Sequence, residues 1–383
     1  MRTQHEHSGK QLGLSLAFSV IILTLFGLII IFTSSSINAG ETYGDMFFYL
    51  KKQAIAASAG LVSFLVIQML PFKIIEKLTV IIFGFVALLL FLTIVPGIAH
   101  SVNGAARWIK LGPLSLQPAE LCKLALIIFL AKNLSRKSTG SLHKPAFLMT
   151  NLAPLAIYVL GLMLQPDFGS SLLLVAITFV LLFVAGLPMR YVLSSILAVI
   201  VAGTIAIIHA PYRLARLVSF LDPWESARTG GFQIIQSYLG FYNGGLLGLG
   251  LGESRQKLYF LPEAHTDFIL SVIGEELGLF GVIFTIAMFC LITLIGMRIT
   301  HLQKDSFKKY MAFGITALFA IQAFINMGVA MGLLPTKGMP LPFVSHGSTS
   351  LLVFLWASAL LVKIGIETEF KREKSKQQTV VTI

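Results

Sequence analysis

Apolar stretches long enough to cross a hydrocarbon layer recur from one end of this 383-residue chain to the other, and they restrict what it can fold into. A bilayer core of roughly 30 Å needs about twenty apolar residues in helical form, and a helix satisfies its own backbone polar groups there without water. Such runs lie near residues 13–33, 53–70, 78–95, 119–131, 147–164, 170–187, 191–209, 268–297, 311–332 and 350–366. Composition agrees: 56% of residues are hydrophobic, 12% are charged and the mean hydropathy is +0.85. The expected fold is all-α, a polytopic membrane helix bundle of about ten transmembrane helices forming a single domain over residues 1–383. The first run lacks a small-residue cleavage signature and reads as a retained span.

Charge sets the expected topology. If the N-terminus is cytoplasmic, the short inner segments and tails (1–12 and 367–383) collect about eighteen of the 29 Lys and Arg residues, which predicts that both termini are cytoplasmic. The net charge of +12 does not indicate nucleic acid, because the basic residues are scattered over many loops and form no stripe beside stacking aromatics. Cys122 and Cys290 each lie inside an apolar run, so neither a disulfide framework nor a cysteine metal site follows. The long connection between the seventh and eighth spans, residues 210–266, is the large outer loop. Its aromatic and aliphatic residues, among them Ile234, Ile235, Tyr238, Leu239 and Tyr242, predict segments lying in the membrane interface.

Candidate chemistry gathers at the ends of spans. In Leu261-Pro-Glu-Ala-His-Thr-Asp267 a loop runs into the eighth span, and a carboxylate at that boundary suits proton abstraction from a sugar hydroxyl. The structural alternative makes Thr266 or Asp267 a helix cap and gives Glu275 and Glu276 packing partners. If Asp267 begins the helix, Ser271, Gly274 and Gly278 leave a groove of small residues beneath it, fit for a lipid or a neighbouring helix. Glu120 and Lys123, one turn apart at the start of the fourth span, are spaced to form an ion pair. Asp167 in Gln165-Pro-Asp-Phe-Gly169 is placed to cap the sixth span, to line an outward polar cavity, or both. The glycine run Gly244–Gly252 matches neither a dinucleotide fingerprint nor a P-loop and reads as turn chemistry. The alternative is that its backbone N–H groups, with Arg255 and Lys257, receive a pyrophosphate, Arg213 and Arg216 either joining them or anchoring to lipid headgroups. No nucleotide site and no metal site built by protein alone is assigned; a divalent cation, Mg or Mn, carried on a pyrophosphate is compatible with such a site.

Five stretches together resemble the SEDS (shape, elongation, division and sporulation) family of bacterial membrane proteins over nearly the whole chain: Asn103-Gly-Ala-Ala-Arg-Trp-Ile-Lys-Leu-Gly-Pro113, Gln117-Pro-Ala-Glu-Leu-Cys-Lys123, Gln165-Pro-Asp-Phe-Gly169, Leu261-Pro-Glu-Ala-His-Thr-Asp-Phe268 and Gly274-Glu-Glu-Leu-Gly278. Leu334-Pro-Thr-Lys-Gly338 resembles the family's cell-division branch. The resemblance implies a peptidoglycan glycosyltransferase that polymerises lipid II at the outer face of the cytoplasmic membrane during septal wall synthesis. By the same resemblance the essential outer aspartate is Asp267 and the supporting polar residues are Glu120, Lys123 and Asp167; the basic residues taken as candidates for the pyrophosphate are Arg107, Arg213, Arg216, Lys257 and Lys337. The implied partners are lipid II, undecaprenyl-pyrophosphate-linked glycan, a class B penicillin-binding protein and other divisome proteins. A lipid II flippase and a noncatalytic scaffold for the division transpeptidase are the alternatives. The chain departs from the family at Ser345-His-Gly-Ser-Thr-Ser350, where a Ser-Tyr-Gly-Gly-Ser-Ser run is common, and at Gly231-Phe-Gln233, where a tyrosine is frequent.

Overall fold

The apolar runs of the sequence become ten long helices. The computed structural model describes residues 8–95, 99–102, 105–111, 114–136, 145–208, 211–228, 230–256 and 264–380. In chain order the spans are α1 (Ser8–Tyr43), α2 (Phe48–Met69), α3 (Phe72–Leu92), α4 (Pro118–Ser135), α5 (Pro145–Leu164), α6 (Phe168–Val184) and α7 (Met189–Ile208). Two shorter helices, α8 (Pro211–Leu221) and α9 (Phe232–Gly244), precede α10 (Ile269–Leu302), α11 (Ser306–Ala330) and α12 (Ser348–Val380). Among the described residues seven helices are individually long and apolar enough to cross a membrane. Helix α6 is apolar but shorter, with 17 residues, and α4 carries Glu120, Lys123 and Lys132 within its 18. The protein is a multi-pass membrane protein.

Helix α4 lies at the centre, packed against α3, α5, α6, α11 and α12. Leu126, Ile127, Leu130 and Leu134 are fully buried there, and Glu120, Lys123 and Lys132 are buried on the same helix. Helices α2, α3 and α7 leave broad apolar faces outward, the position of lipid. The segment between α11 and α12 is exposed at Leu333 and Gly338 and then folds back into the bundle, where residues 341–345 are buried. A Cβ at Gly27 of α1 would come within 2.4 Å of the Phe343 carbonyl, so only glycine lets that backbone approach the helix.

Between α3 and α4 the chain forms a small antiparallel sheet, β1 (Ala99–Val102), β2 (Ala105–Leu111) and β3 (Leu114–Leu116), in the order β1-β2-β3. It adds to the all-α expectation. The register pairs His100 with Trp108 and Ile109 with Leu116, with an irregularity between His100 and Ser101. Thr349 ties the sheet to α12: its hydroxyl donates to the Ser115 carbonyl at 2.9 Å and accepts from the Gln117 N–H at 3.1 Å.

In the long connection between α7 and α10, α9 packs against α10, whereas Leu214, Val218, Leu221 and Trp224 in and just after α8 are exposed. Ile234 and Ile235 of α9 are buried, which corrects their expected place in the membrane interface, whereas Leu239 and Tyr242 are exposed. The groove of small residues on α10 is filled by α9 itself. Ser271 donates to the Ser237 carbonyl at 3.0 Å, and a Cβ at Gly244 would lie 1.9 Å from the Gly274 carbonyl oxygen.

Candidate functional site

Asp267 occupies the turn ahead of α10, and its backbone is fixed from two directions. The Asn326 carboxamide of α11 donates from one nitrogen to the Asp267 carbonyl at 3.0 Å and to the Met339 carbonyl at 2.8 Å. On the other side the Ser345 hydroxyl donates to the Thr266 carbonyl at 2.6 Å and accepts from the Leu341 N–H at 2.8 Å. The His346 N–H donates to the His265 carbonyl at 2.9 Å. Residues 332–347 thus form a strap across the turn. Gln53 of α2 grips the strap in turn, donating to the Ser345 carbonyl at 3.3 Å and accepting from the Gly347 N–H at 3.1 Å. The N-cap position of α10 is Phe268, which makes no side-chain cap bond.

The strap passes close to the Asp267 carboxylate. A Cβ at Gly338 would lie 3.4 Å from Asp267 Oδ2, and Gly338 is solvent-exposed while Asp267 is half-buried. A larger residue at 338 would take up room beside that oxygen. A carboxylate on a backbone fixed in this way is positioned to take a proton from an alcohol bound within hydrogen-bond reach.

Beneath the strap, the predicted ion pair is present and buried. Lys123 Nζ donates to Glu120 Oε1 at 2.5 Å, and the two side chains are 0% and 3% exposed. Lys123 also donates to Gln322 Oε1 at 2.9 Å, and Gln322 Nε2 donates to the Pro340 carbonyl at 2.9 Å. A continuous chain of bonds therefore runs from the pair to the strap beside Asp267. Charges this deep are tolerated because each is the other's counter-ion, and Lys123 has a further hydrogen bond to Gln322.

Asp167 caps α6, its Oδ1 accepting from the Ser170 N–H at 3.0 Å and its Oδ2 from the Ser170 hydroxyl at 2.7 Å. Arg107 on β2 fastens the adjacent turn, donating to the Gln165 carbonyl at 3.0 Å and the Pro166 carbonyl at 2.7 Å. The strap reaches this corner as well. Met339 packs beside Gly169, and Lys337 Nζ stands 5.8 Å from the centroid of the Phe168 ring. Burial holds the Lys337 ammonium below the usual lysine range. The 332–347 strap therefore brings the motifs containing Glu120, Asp167 and Asp267 to one region.

Arg216 is exposed on α8. Lys257 and the side chain of Arg213 lie outside the described residues. The glycine run uses its backbone donors internally: Leu249 and Gly250 donate to the Glu275 and Glu276 carbonyls at 2.9 and 3.0 Å, and Gly248 to Gly244 at 2.7 Å. Below it the Glu275 carboxylate accepts from the Ser254 hydroxyl and, at 3.2 Å, from the Gln256 N–H.

Sequence reasoning missed Gln53, Gln322, Asn326 and the strap's organising role. The available signal was two carboxamides, Gln322 and Asn326, spaced i,i+4 in the apolar C-terminal half of α11, since buried polar groups in a membrane helix need partners. At the departure from the family pattern, His346 packs its ring 4.9 Å from Tyr49 and 5.6 Å from His265. Burial, reinforced by nearby His265 and Lys52, pushes its imidazole down to about 3.

Comparison with known proteins agrees with this architecture. A chain of 42% identity over 359 residues, covering 93% of this protein and 95% of the relative, is the "Probable peptidoglycan glycosyltransferase FtsW" of Geobacter metallireducens. A protein of the same name from Saccharophagus degradans is 40% identical over 371 residues, 96% of each chain. Among solved structures, a chain of a peptidoglycan synthase complex, studied for its coordination of polymerization and crosslinking, superposes with a TM-score of 0.73 at 27% identity, covering 92% and 97% of the two chains. The Thermus thermophilus rod shape determining protein RodA superposes at 0.66 with 26% identity, covering 92% and 96%. Residues 14–370 match the family of FtsW, RodA and SpoVE, described as "Cell cycle protein", and the chain belongs to that family.

Proposed function

We propose that this protein is a peptidoglycan glycosyltransferase that polymerises lipid II into β-1,4-linked glycan at the outer face of the cytoplasmic membrane, with Asp267 as general base. The observation that carries the reading is the seating of Asp267, whose backbone is held by Asn326 while Oδ2 faces the exposed Gly338. Asp267 takes the proton from the C4 hydroxyl of the acceptor's N-acetylglucosamine as that oxygen bonds to C1 of the donor's N-acetylmuramic acid. The C1–oxygen bond to the undecaprenyl pyrophosphate breaks with its electron pair on the leaving group. Direct displacement inverts the α-linked donor to a β linkage, so an α-linked product would exclude this route.

The departing pyrophosphate gains charge that Lys337, Arg107, Arg216, Arg213 and Lys257 are proposed to offset. Lys337 is next to Gly338 in the chain and partly desolvated, so an arriving anion restores the partner that burial denies it. A divalent cation, Mg or Mn, enters as part of the pyrophosphate substrate. Glu120, Lys123 and Asp167 support the strap and its neighbouring turns. A class B penicillin-binding protein is the proposed crosslinking partner, alongside other divisome proteins, at the division septum with both termini cytoplasmic. Its likeness to a chain of a peptidoglycan synthase complex supports this assembly.

The test is polymerisation of lipid II by the purified protein with its transpeptidase partner, using a partner unable to polymerise glycan itself. Wild type should yield glycan and Asp267→Asn should lose at least about 100-fold, the order of a general-base contribution. Equal products from both proteins, with folding and partner binding matched, would overturn the assignment in favour of a scaffold or flippase.

A further inference from the structure

The glycine run is rigid, yet it turns its leucines outward. Gly245, Gly248, Gly250 and Gly252 all have positive φ, and Leu249, Gly250 and Leu279 tie the run to α10 through backbone bonds. A loop pinned in this way cannot rotate its side chains into the core. Leu246 and Leu247 are 66% and 79% exposed, and Tyr242 just before them is 83% exposed. In water a fixed cluster of this kind is unfavourable.

The patch continues onto a membrane-spanning helix. A Cβ at Gly278 of α10 would lie 2.5 Å from the Leu246 carbonyl oxygen, so loop and helix meet without a gap. Beyond that contact, Leu279, Phe280 and Ile283 are exposed apolar residues on α10. That flank is an exposed apolar surface on a helix long and apolar enough to cross a membrane, and the leucine tip extends the same surface. We infer that the Leu246–Leu247 tip is seated in the headgroup–acyl boundary of the leaflet on the Asp267 side, with bilayer lipid as its occupant. Tyr242 lies at headgroup level, where aromatic rings with a polar tip are favoured. The tip hangs from the helix that Asp267 precedes, so its seat anchors that end of α10 against the leaflet.

The experiment uses the full-length protein with Cys290→Ser, one copy per nanodisc of phosphatidylethanolamine and phosphatidylglycerol. A nitroxide is attached at Leu247→Cys, and its accessibility to oxygen and to a water-soluble nickel chelate is compared by power saturation. Labels at Phe280→Cys and Glu225→Cys provide lipid and water references. The oxygen-to-nickel ratio at position 247 should exceed that at 225 by about fivefold or more and approach that at 280, as expected for insertion below the headgroups. A ratio matching position 225 overturns the inference, and so does protection from both reagents, which marks a protein contact. Should the label disturb the loop, Leu247→Trp quenched by brominated lipid reads the same depth. None of these readouts depends on catalytic turnover.

Discussion

Replacing Lys123 by methionine separates charge from packing at the centre of the bundle. The two side chains are similar in volume, so the loss is mainly the cation and its hydrogen bonds. Glu120 Oε1 then loses its 2.5 Å partner, while Oε2 is already a buried oxygen with no hydrogen-bond partner among the described residues. Removing one member of a buried pair typically costs roughly 3–5 kcal/mol, most of it the burden of the stranded charge. Replacing both members with neutral residues removes that burden. Glu120→Gln/Lys123→Met should therefore be more stable than Lys123→Met alone by at least about 2 kcal/mol. The assay is equilibrium unfolding of the purified protein in mixed detergent micelles, followed by tryptophan fluorescence. If the single variant is as stable as the double, the two charges do not neutralise each other in the core and the argument fails. The folded double variant should still polymerise lipid II about tenfold or more slowly, about 1.4 kcal/mol in barrier, because Gln322 has lost the ammonium that orients it toward Pro340.

Asn326→Leu keeps the side-chain size but removes both carbonyl bonds, so kcat should fall about 10–100-fold with KM changed by less than about threefold; an equal loss spread over both would argue against a positioning role. Gly248→Ala combines φ +80° with a Cβ 2.2 Å from the Glu276 carbonyl, whereas Gly252→Ala at φ +85° meets nothing within 4 Å. The first should cost several kcal/mol and the second only the left-handed backbone penalty of about 1–2 kcal/mol; equal costs by the same unfolding assay would contradict the packing described. For His346, whose folded value of about 3 lies below the ordinary 6.5, the unfolded state binds more protons between those values. Stability should thus be fully present above pH ~6.5 and fall on acidification toward pH ~3, by up to ~1.4 kcal/mol per pH unit. His346→Gln should flatten that slope, and an unchanged profile would show that the ring is not buried as described.

The spans were legible because hydropathy over about twenty residues is the strongest signal a chain can carry. Even α4 was recovered despite three charges, since the apolar residues around Glu120 and Lys123 outnumber them and the pair's i,i+3 spacing is local. Asp167 was legible as a cap for the same reason: its partner Ser170 lies three residues away. The strap was not. Its bonds join Asn326 to Asp267 across 59 residues and Ser345 to Gln53 across 292, and no local pattern encodes such pairings. The small sheet escaped because β2, Ala105–Leu111, lacks strict alternation of apolar and polar residues and β3 has only three residues. The break in α10 at Gly278, with φ +63° and ψ −159°, was hidden inside one continuous apolar run.

Glu120 and Lys123 lie on a single turn, so α4 neutralises itself before any later helix exists. Gln322, which completes the arrangement, is synthesised 199 residues after Lys123. An ion pair divided between α4 and α11 would leave a bare charge in hydrocarbon while α5 to α10 were still being made, at a cost of about 2.5–3.5 kcal/mol on the insertion scale. The local pair lets α4 leave the translocation machinery electrically matched and take its central place early, with α11 closing over it when it arrives.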